Sequence, residues 1–345
     1  MPFAWKRGHT VAAIVAAAVL VGGGTAVAVG LTGDDRPETP LPAAGSASST
    51  PSAQASATTP SPTPMPSPTA ADYLTGRKPS DHEVFAVKVE NIAAARPQVG
   101  LGSADIVFAE EVEGAQTRLV AIYHTTFPRR LGPVRSARST DVQLLPLFGK
   151  PGLVYSGANR NVQGKIDRSS IVPIERSTRD HSRVAPHNVF VNLAGIADAK
   201  KVGRARDIGW TFAAADPRWA AAASAPDPKG RVGNDTFSFD YGNGRYVVKW
   251  RGQAYVDGDS GAKAMTDNVV VMSVHNHPDG NRDVLGSASV MSDTVGTGKV
   301  TVYRDGKKLT GTWTRTSSGA PLTFTGADGK DLPLKPGRTW VLPKG

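Results

Sequence analysis

The sequence predicts an α+β chain, with a mixed α/β N-terminal domain at residues 72–225 and a smaller, antiparallel β-rich C-terminal domain at residues 226–345. Strand-length apolar runs share the first part with two segments of helical pattern. In the second part, short strand-like runs are punctuated by Asn243-Gly244, Asp257-Gly258, Asp305-Gly306 and Asp328-Gly329. That part also has no Glu and 12 Asp, many of them placed at turns.

Before the globular part comes a segment of different character. Lys6 and Arg7 precede residues 11–31, a run of 21 residues without a charged side chain, and Asp34 and Asp35 follow it. At about 1.5 Å per residue the run covers the ~30 Å hydrocarbon core of a bilayer. Positive charge before it and negative charge after it imply an N-in, C-out orientation. Ala26-Val27-Ala28 is also an acceptable signal-peptide cleavage site. Residues 1–33 are therefore expected to be a single-pass membrane anchor, or a signal segment whose removal secretes the chain. Either outcome places the rest outside the cytoplasm. Residues 34–71, rich in Pro, Ser, Thr and Ala, are expected to form a disordered linker, extended where prolines alternate at 60–68.

Charge and cysteine content narrow the function classes. Residues 1–71 carry three basic and three acidic groups, which cancel, so the formal charge of +10 belongs entirely to residues 72–345. A basic fold favours polyanionic neighbours. Outside a cell these are cell-wall polymers or lipid head groups, and the basic stretches lack the interleaved aromatics expected of a nucleic-acid binder. The absence of cysteine excludes disulfides, thiol nucleophiles, zinc–thiolate sites and a lipid-accepting cysteine.

In chain order, residues 85–89, 105–112 and 117–126 read as strands, the last two joined at Glu113-Gly114. Residues 139–148 read as a short helix that Pro146 ends or kinks, and 152–156 as a strand. Residues 191–204 read as a helix capped by Asn192, with Lys200, Lys201 and Arg204 at its C-terminal end. After an Ala/Pro/Asp-rich loop, residues 247–250, 268–274, 299–303 and 311–316 read as strands.

Several motifs resemble the YerB-like family of bacterial envelope proteins. They are Val89-Glu90-Asn91, Ala95-Arg96-Pro97-Gln98-Val99-Gly100-Leu101, Gly132-Pro133-Val134-Arg135-Ser136-Ala137-Arg138, Ala185-Pro186-His187-Asn188, Asp267-Asn268-Val269-Val270-Val271, Gly311-Thr312-Trp313 and Gly337-Arg338-Thr339-Trp340-Val341. The resemblance spans residues 72–345. It implies a two-part extracytoplasmic domain, often in a lipoprotein, without an established reaction.

Candidate chemistry concentrates between residues 110 and 188. Ten Arg and two Lys lie between residues 118 and 183. Arg presents a planar fork suited to carboxylate or phosphate. Arg118, Arg135, Ser136, Arg138, His187 and Asn188 are the candidate binding residues for an anionic or sugar-containing wall ligand. The backbone N–H groups of the helix beginning near Ser139 are expected to assist. The bland alternative is that these arginines form structural ion pairs with Glu110, Glu111 or Glu113. A hydrolase or transferase reading would use Glu111 and Glu113 on one face of a strand, with His187 as base. A protein-interaction scaffold is the third class. His275 and His277, with Asp279 and Asp283 nearby, offer too few ligands to predict a metal site. The sequence shows no cofactor fingerprint.

Overall fold

The computed structural model describes residues 71–282 and 286–345. The expected anchor at residues 11–31 and the linker up to residue 70 lie outside them. Among the described residues no helix is long and apolar enough to cross a membrane.

Strand β1 (Phe85–Glu90) is buried along its whole length, as befits a strand covered on both faces. β2 (Ile106–Glu111) and β3 (Thr117–Tyr123) form an antiparallel hairpin around a 3₁₀ turn at Glu113–Ala115, and β3 pairs with β1. Helix α1 (Ser139–Leu144) passes into the 3₁₀ turn Leu145–Phe148 at Pro146. β4 (Gly152–Val154) and β5 (Val172–Ile174) extend the sheet in parallel from β1. Between them lies α2 (Arg160–Asp167), capped by Asn159, whose side chain accepts from Val162 N at 2.8 Å. Short strands β6 (Thr178–Arg179) and β7 (Val189–Phe190) pair with each other. Helix α3 (Leu193–Ala199) has the expected Asn192 cap but ends at Ala199, so Lys200, Lys201 and Arg204 lie beyond it.

After α4 (Pro217–Ala221) the chain is all strand. β8 (Ala223–Ser224) and β9 (Lys229–Val232) precede β10 (Asp235–Gly242) and β11 (Arg245–Trp250), a hairpin turned at Asn243-Gly244. Then follow β12 (Gln253–Ala254), β13 (Met265–Thr266), β14 (Asn268–Ser273), and a ribbon of β15 (Asn276–Arg282) and β16 (Ala288–Ser292). β17 (Gly296–Arg304) and β18 (Lys307–Arg315) turn at Asp305-Gly306, before β19 (Thr323–Gly326) and β20 (Thr339–Lys344). In both hairpins Asn-Gly or Asp-Gly supplies the two left-handed residues that a tight turn between twisted strands needs.

The α+β expectation holds in part. Strand accounts for 41% of the described residues and helix for 14%. Helices α1, α2, α3 and α4 all lie in the N-terminal part, beside β1 to β8, and among the described residues no helix follows Ala221.

The main sheet has the order β19-β18-β17-β14-β20-β2-β3-β1-β4-β5, with β8 beside β18. The last strand of the chain, β20, lies parallel between β2 and β14. Strands from both sides of residue 225 therefore share one sheet. The Asp267-Asn268 motif seats β20. Asp267 Oδ2 accepts from Arg338 N at 2.8 Å. The Asn268 amide brackets Lys335, accepting from its N–H at 2.7 Å and donating to its carbonyl at 2.9 Å.

Two apolar clusters cover the two faces of this sheet. On one, Phe108, Val120 and Val341 pack with Leu144, Phe148, Val162 and Ile166 from α1, its 3₁₀ extension and α2. On the other, a second sheet of order β12-β11-β10-β9 lays Phe237, Phe239, Tyr246 and Trp250 against Val107, Leu119 and Trp340.

Candidate functional site

On the face that carries α1, each of the three central strands changes from apolar to polar along its length. β1 presents Ala86, Lys88 and Glu90; β2 presents Ile106, Phe108 and Glu110; β3, running the other way, presents Ile122, Val120 and Arg118. Register sets Glu110, Arg118 and Glu90 side by side in one row across the sheet. The apolar half holds the core, and the polar half forms the floor of a cleft.

The loop before α1 forms one wall. β4 pairs with β1 only from Phe85 to Val87, leaving the end of β1 free. The loop takes that edge: Glu90 N donates to Pro133 O at 2.9 Å and Arg135 N to Lys88 O at 2.8 Å. This extended attachment projects Arg135, Ser136 and Arg138 over the polar row. The cleft, of about 560 Å³, is further lined by Glu113 and Gly114 of the β2–β3 turn and by Ser156–Asn159 before α2. Arg282 and Ser287, from the β15–β16 ribbon, complete its rim.

Below the cleft lies a closed charge group. Lys88 Nζ, fully buried, donates to Glu110 Oε2 and, at 2.9 Å, to Asp141 Oδ1. Burial, reinforced by the negative charge of Asp141, pushes the Glu110 carboxyl up to about 7. The other Asp141 oxygen accepts from Arg138 N at 2.6 Å and so closes the first turn of α1. The Asp141 carboxylate thus already lies at the N-terminal end of α1, and the groups that line the cleft above it are the guanidiniums.

These guanidiniums differ in how far they are satisfied. Arg138 Nε donates to Glu113 Oε1 at 2.5 Å. Burial works against the Glu113 charge, but the Arg138 hydrogen bond and charge hold its carboxyl below the usual glutamate range. Arg135 Nε lies 3.2 Å from Glu90 Oε1, and His187 Nδ1 lies 2.9 Å from the other oxygen of the same carboxylate. Arg118 Nη1 donates to the Ser136 carbonyl at 2.8 Å, and its guanidinium has no ion-pair partner among the described residues. Burial, then the neighbouring Arg138 charge, push the Arg118 pKa down to about 10. Among the described residues, four guanidiniums thus line or rim a cleft whose lining includes one carboxylate, Glu113.

The structure brings five predicted residues together: Glu113, Arg118, Arg135, Ser136 and Arg138. His187 stands behind Arg135, on the far oxygen of Glu90, and does not line the cleft. Asn188 is buried beside β7, where its Oδ1 accepts from Arg179 Nη1 at 3.1 Å. Glu111 does not share a face with Glu113, because β2 ends at Glu111 and strand alternation does not extend into the 3₁₀ turn. Glu111 Oε2 instead accepts from Asn276 Nδ2 at 2.7 Å. Of the acids expected near the histidine pair, Asp279 accepts from Ser139 Oγ at 2.6 Å, while Asp283 lies outside the described residues.

Sequence reasoning missed Glu90, Arg282 and the loop before α2. Glu90 had a signal: Lys88 and Glu90 alternate with Val87 and Val89 in a run that reads as a strand, so charged side chains enter a buried face. Arg282 had none, being carried from the other half of the chain by a ribbon.

The protein of Bacillus subtilis (strain 168) named "Putative lipoprotein YerB" is 26% identical over 291 residues, covering 77% of this chain and 82% of that protein. The crystal structure of YerB protein from Bacillus subtilis matches the fold with a TM-score of 0.66 at 24% identity, covering 79% of this chain and 95% of that one. The family described as protein of unknown function DUF3048 matches through its N-terminal domain at residues 74–206 and its C-terminal domain at residues 229–341, and the chain belongs to this family.

Proposed function

We propose that this chain is an extracytoplasmic envelope module that binds an anionic wall polymer, bearing phosphate or carboxylate groups, in the Arg118–Arg135–Arg138 cleft. The observation that carries this reading is Arg118, a desolvated guanidinium without an ion-pair partner among the described residues, which lines an open cleft beside two further arginines. A partner-less cation in a partly buried site is a standing electrostatic cost, and a bound anion would relieve it. The location rests on the charge-flanked apolar run at residues 11–31 and on the lipoprotein name of the relative. The apolar run takes the anchoring or export role that a lipid-bearing cysteine fills in lipoproteins.

Co-sedimentation of residues 71–345 with purified cell-wall sacculi, over a salt titration, tests the proposal. Salt-sensitive binding that Arg118→Gln weakens about tenfold or more is expected. Equal binding by wild type and variant would remove the cleft from the reading. Release of soluble muropeptides would replace binding with hydrolysis.

A further inference from the structure

The ribbon that carries Arg282 to the cleft holds a second group of polar side chains at its other end. His275 precedes β15, and Asp293 follows β16. Asp293 N donates to the His275 carbonyl at 2.9 Å, continuing the register that pairs Asn276 with Ser292 and His277 with Met291. His275 and Asp293 are thus opposite one another, and His277, two residues along the same strand, shares their face.

The ligating atoms converge. His275 Nδ1 lies 3.2 Å from Asp293 Oδ2, and His277 Nε2 lies 3.3 Å from Asp293 Oδ1. One nitrogen or oxygen from each of the three residues lies within 4.8 Å of the others. A tetrahedral ion with bonds of about 2.0–2.1 Å holds neighbouring ligand atoms about 3.3 Å apart. Both imidazole–carboxylate separations have about that length, each to a different oxygen of Asp293, so an ion drawn to all three residues needs only a small turn of the carboxylate.

The tautomer of His277 supplies an independent argument. Its Nδ1 lies 3.1 Å from the Pro278 carbonyl, which can only accept, so Nδ1 carries the hydrogen. In the neutral ring Nε2 then presents its lone pair to a carboxylate oxygen that also has only lone pairs to offer, so the two atoms come together around a proton or a metal ion. A cation belongs between two such atoms. A backbone carbonyl that orients the far nitrogen of an imidazole is the usual outer support of a metal-binding histidine.

We propose that His275, His277 and Asp293 bind a divalent first-row transition-metal ion of the zinc or copper class. Two imidazoles with one carboxylate suit these ions, whereas calcium and magnesium prefer all-oxygen sets. Three protein ligands leave a coordination position open. His275 and Asp293 also line a neighbouring cleft of about 340 Å³, with Trp313 in its wall, so a small anion or water has room to reach that position. Sequence spacing could not reveal this set, because Asp293 lies 16 residues from His277 and reaches it through the ribbon's return strand.

Titration calorimetry of the full chain in detergent, with zinc and copper salts in turn, tests the site. One equivalent of each ion is expected to bind, copper more tightly in keeping with the order of divalent affinities. His277→Gln and Asp293→Asn should each weaken binding by about tenfold or more. Unchanged melting temperatures in chelator would show that both variants fold. His187→Gln, at the half-buried imidazole–carboxylate pair with Glu90, should leave the stoichiometry at one. The proposal is overturned if wild type takes up neither ion at micromolar concentration, if both ligand variants bind like wild type, or if excess calcium displaces the bound ion.

Discussion

Glu110 and Arg118 stand directly opposite one another on β2 and β3, yet no ion pair joins them. Glu110 is held by Lys88 beneath the sheet surface, and Arg118 donates to the Ser136 carbonyl above it. The division separates a buried charge group from a guanidinium that has no acid partner among the described residues. It also sets the stability effects of the arginines apart.

Arg118→Gln is expected to leave the melting temperature unchanged or raise it, because it removes a desolvated cation that has no acid partner among the described residues. Arg138→Gln should lower stability by about 1–3 kcal/mol, because it leaves the Glu113 carboxylate without its charged donor. Thermal melts of both variants check this, and equal losses would contradict it.

Glu110 predicts a pH signature. A carboxyl at about 7 when folded, against an ordinary 4.5, binds more protons in the folded state than in the unfolded state between those values. Its contribution to stability therefore falls as pH rises from 4.5 to 7, by at most about 3 kcal/mol. In denaturant titrations, Glu110→Gln should gain on wild type across that interval and hold a constant difference above it. A difference independent of pH would show that Glu110 does not titrate there.

The buried pair of Asp72 and His124 should show the opposite trend at its acid end. Asp72 Oδ2 lies 2.9 Å from His124 Nε2, and Asp72 Oδ1 accepts from Leu74 N and Thr75 N. Burial opposes both charges, but the mutual hydrogen bond lowers the Asp72 pKa and raises that of His124. The aspartate contribution is present above 3.8 and lost as pH falls through its lowered pKa. The histidine contribution is complete below 6.5 and lost as pH rises through its raised pKa. Asp72→Asn should therefore cost about 1–2 kcal/mol in the window between, with a smaller deficit above it. Melting curves across pH would reveal a flat deficit if the pair carries no charge.

Gly298→Ala tests a close approach. A Cβ at this position would lie 2.5 Å from the Ser273 carbonyl and 2.6 Å from Trp313 Nε1, the two groups joined by a 2.8 Å hydrogen bond. The β17–β18 ladder must shift or that bond must break, so a loss of about 2 kcal/mol or more is expected. A near-neutral melting temperature would mean that the strands yield without cost.

Local signals located much of the secondary structure. Apolar runs marked β1, β2, β3 and β14, and Asn-Gly or Asp-Gly marked two hairpins, because burial and left-handed turn backbone restrict residue choice where they occur. Helix α2 and strand β10 were missed. In α2 five of eight residues are charged or amide side chains, and only Val162 and Ile166 are fully buried. β10 alternates apolar Phe237 and Phe239 with polar neighbours over a single hairpin arm.

By itself the sequence determined the family, the basic character of residues 72–345, the charge-flanked apolar run near the N-terminus, and the arginine loop at residues 132–138. All are properties of composition or of contiguous residues. Tertiary structure decided that β20 returns between β2 and β14, that Arg118 and Glu110 diverge, that Glu111 leaves the cleft and Arg282 enters it, and that Asp293 meets His275 and His277. Each of these joins residues far apart in the chain through strand pairing. Pairing is set by which buried edge each strand satisfies, and no local run of residues encodes that choice.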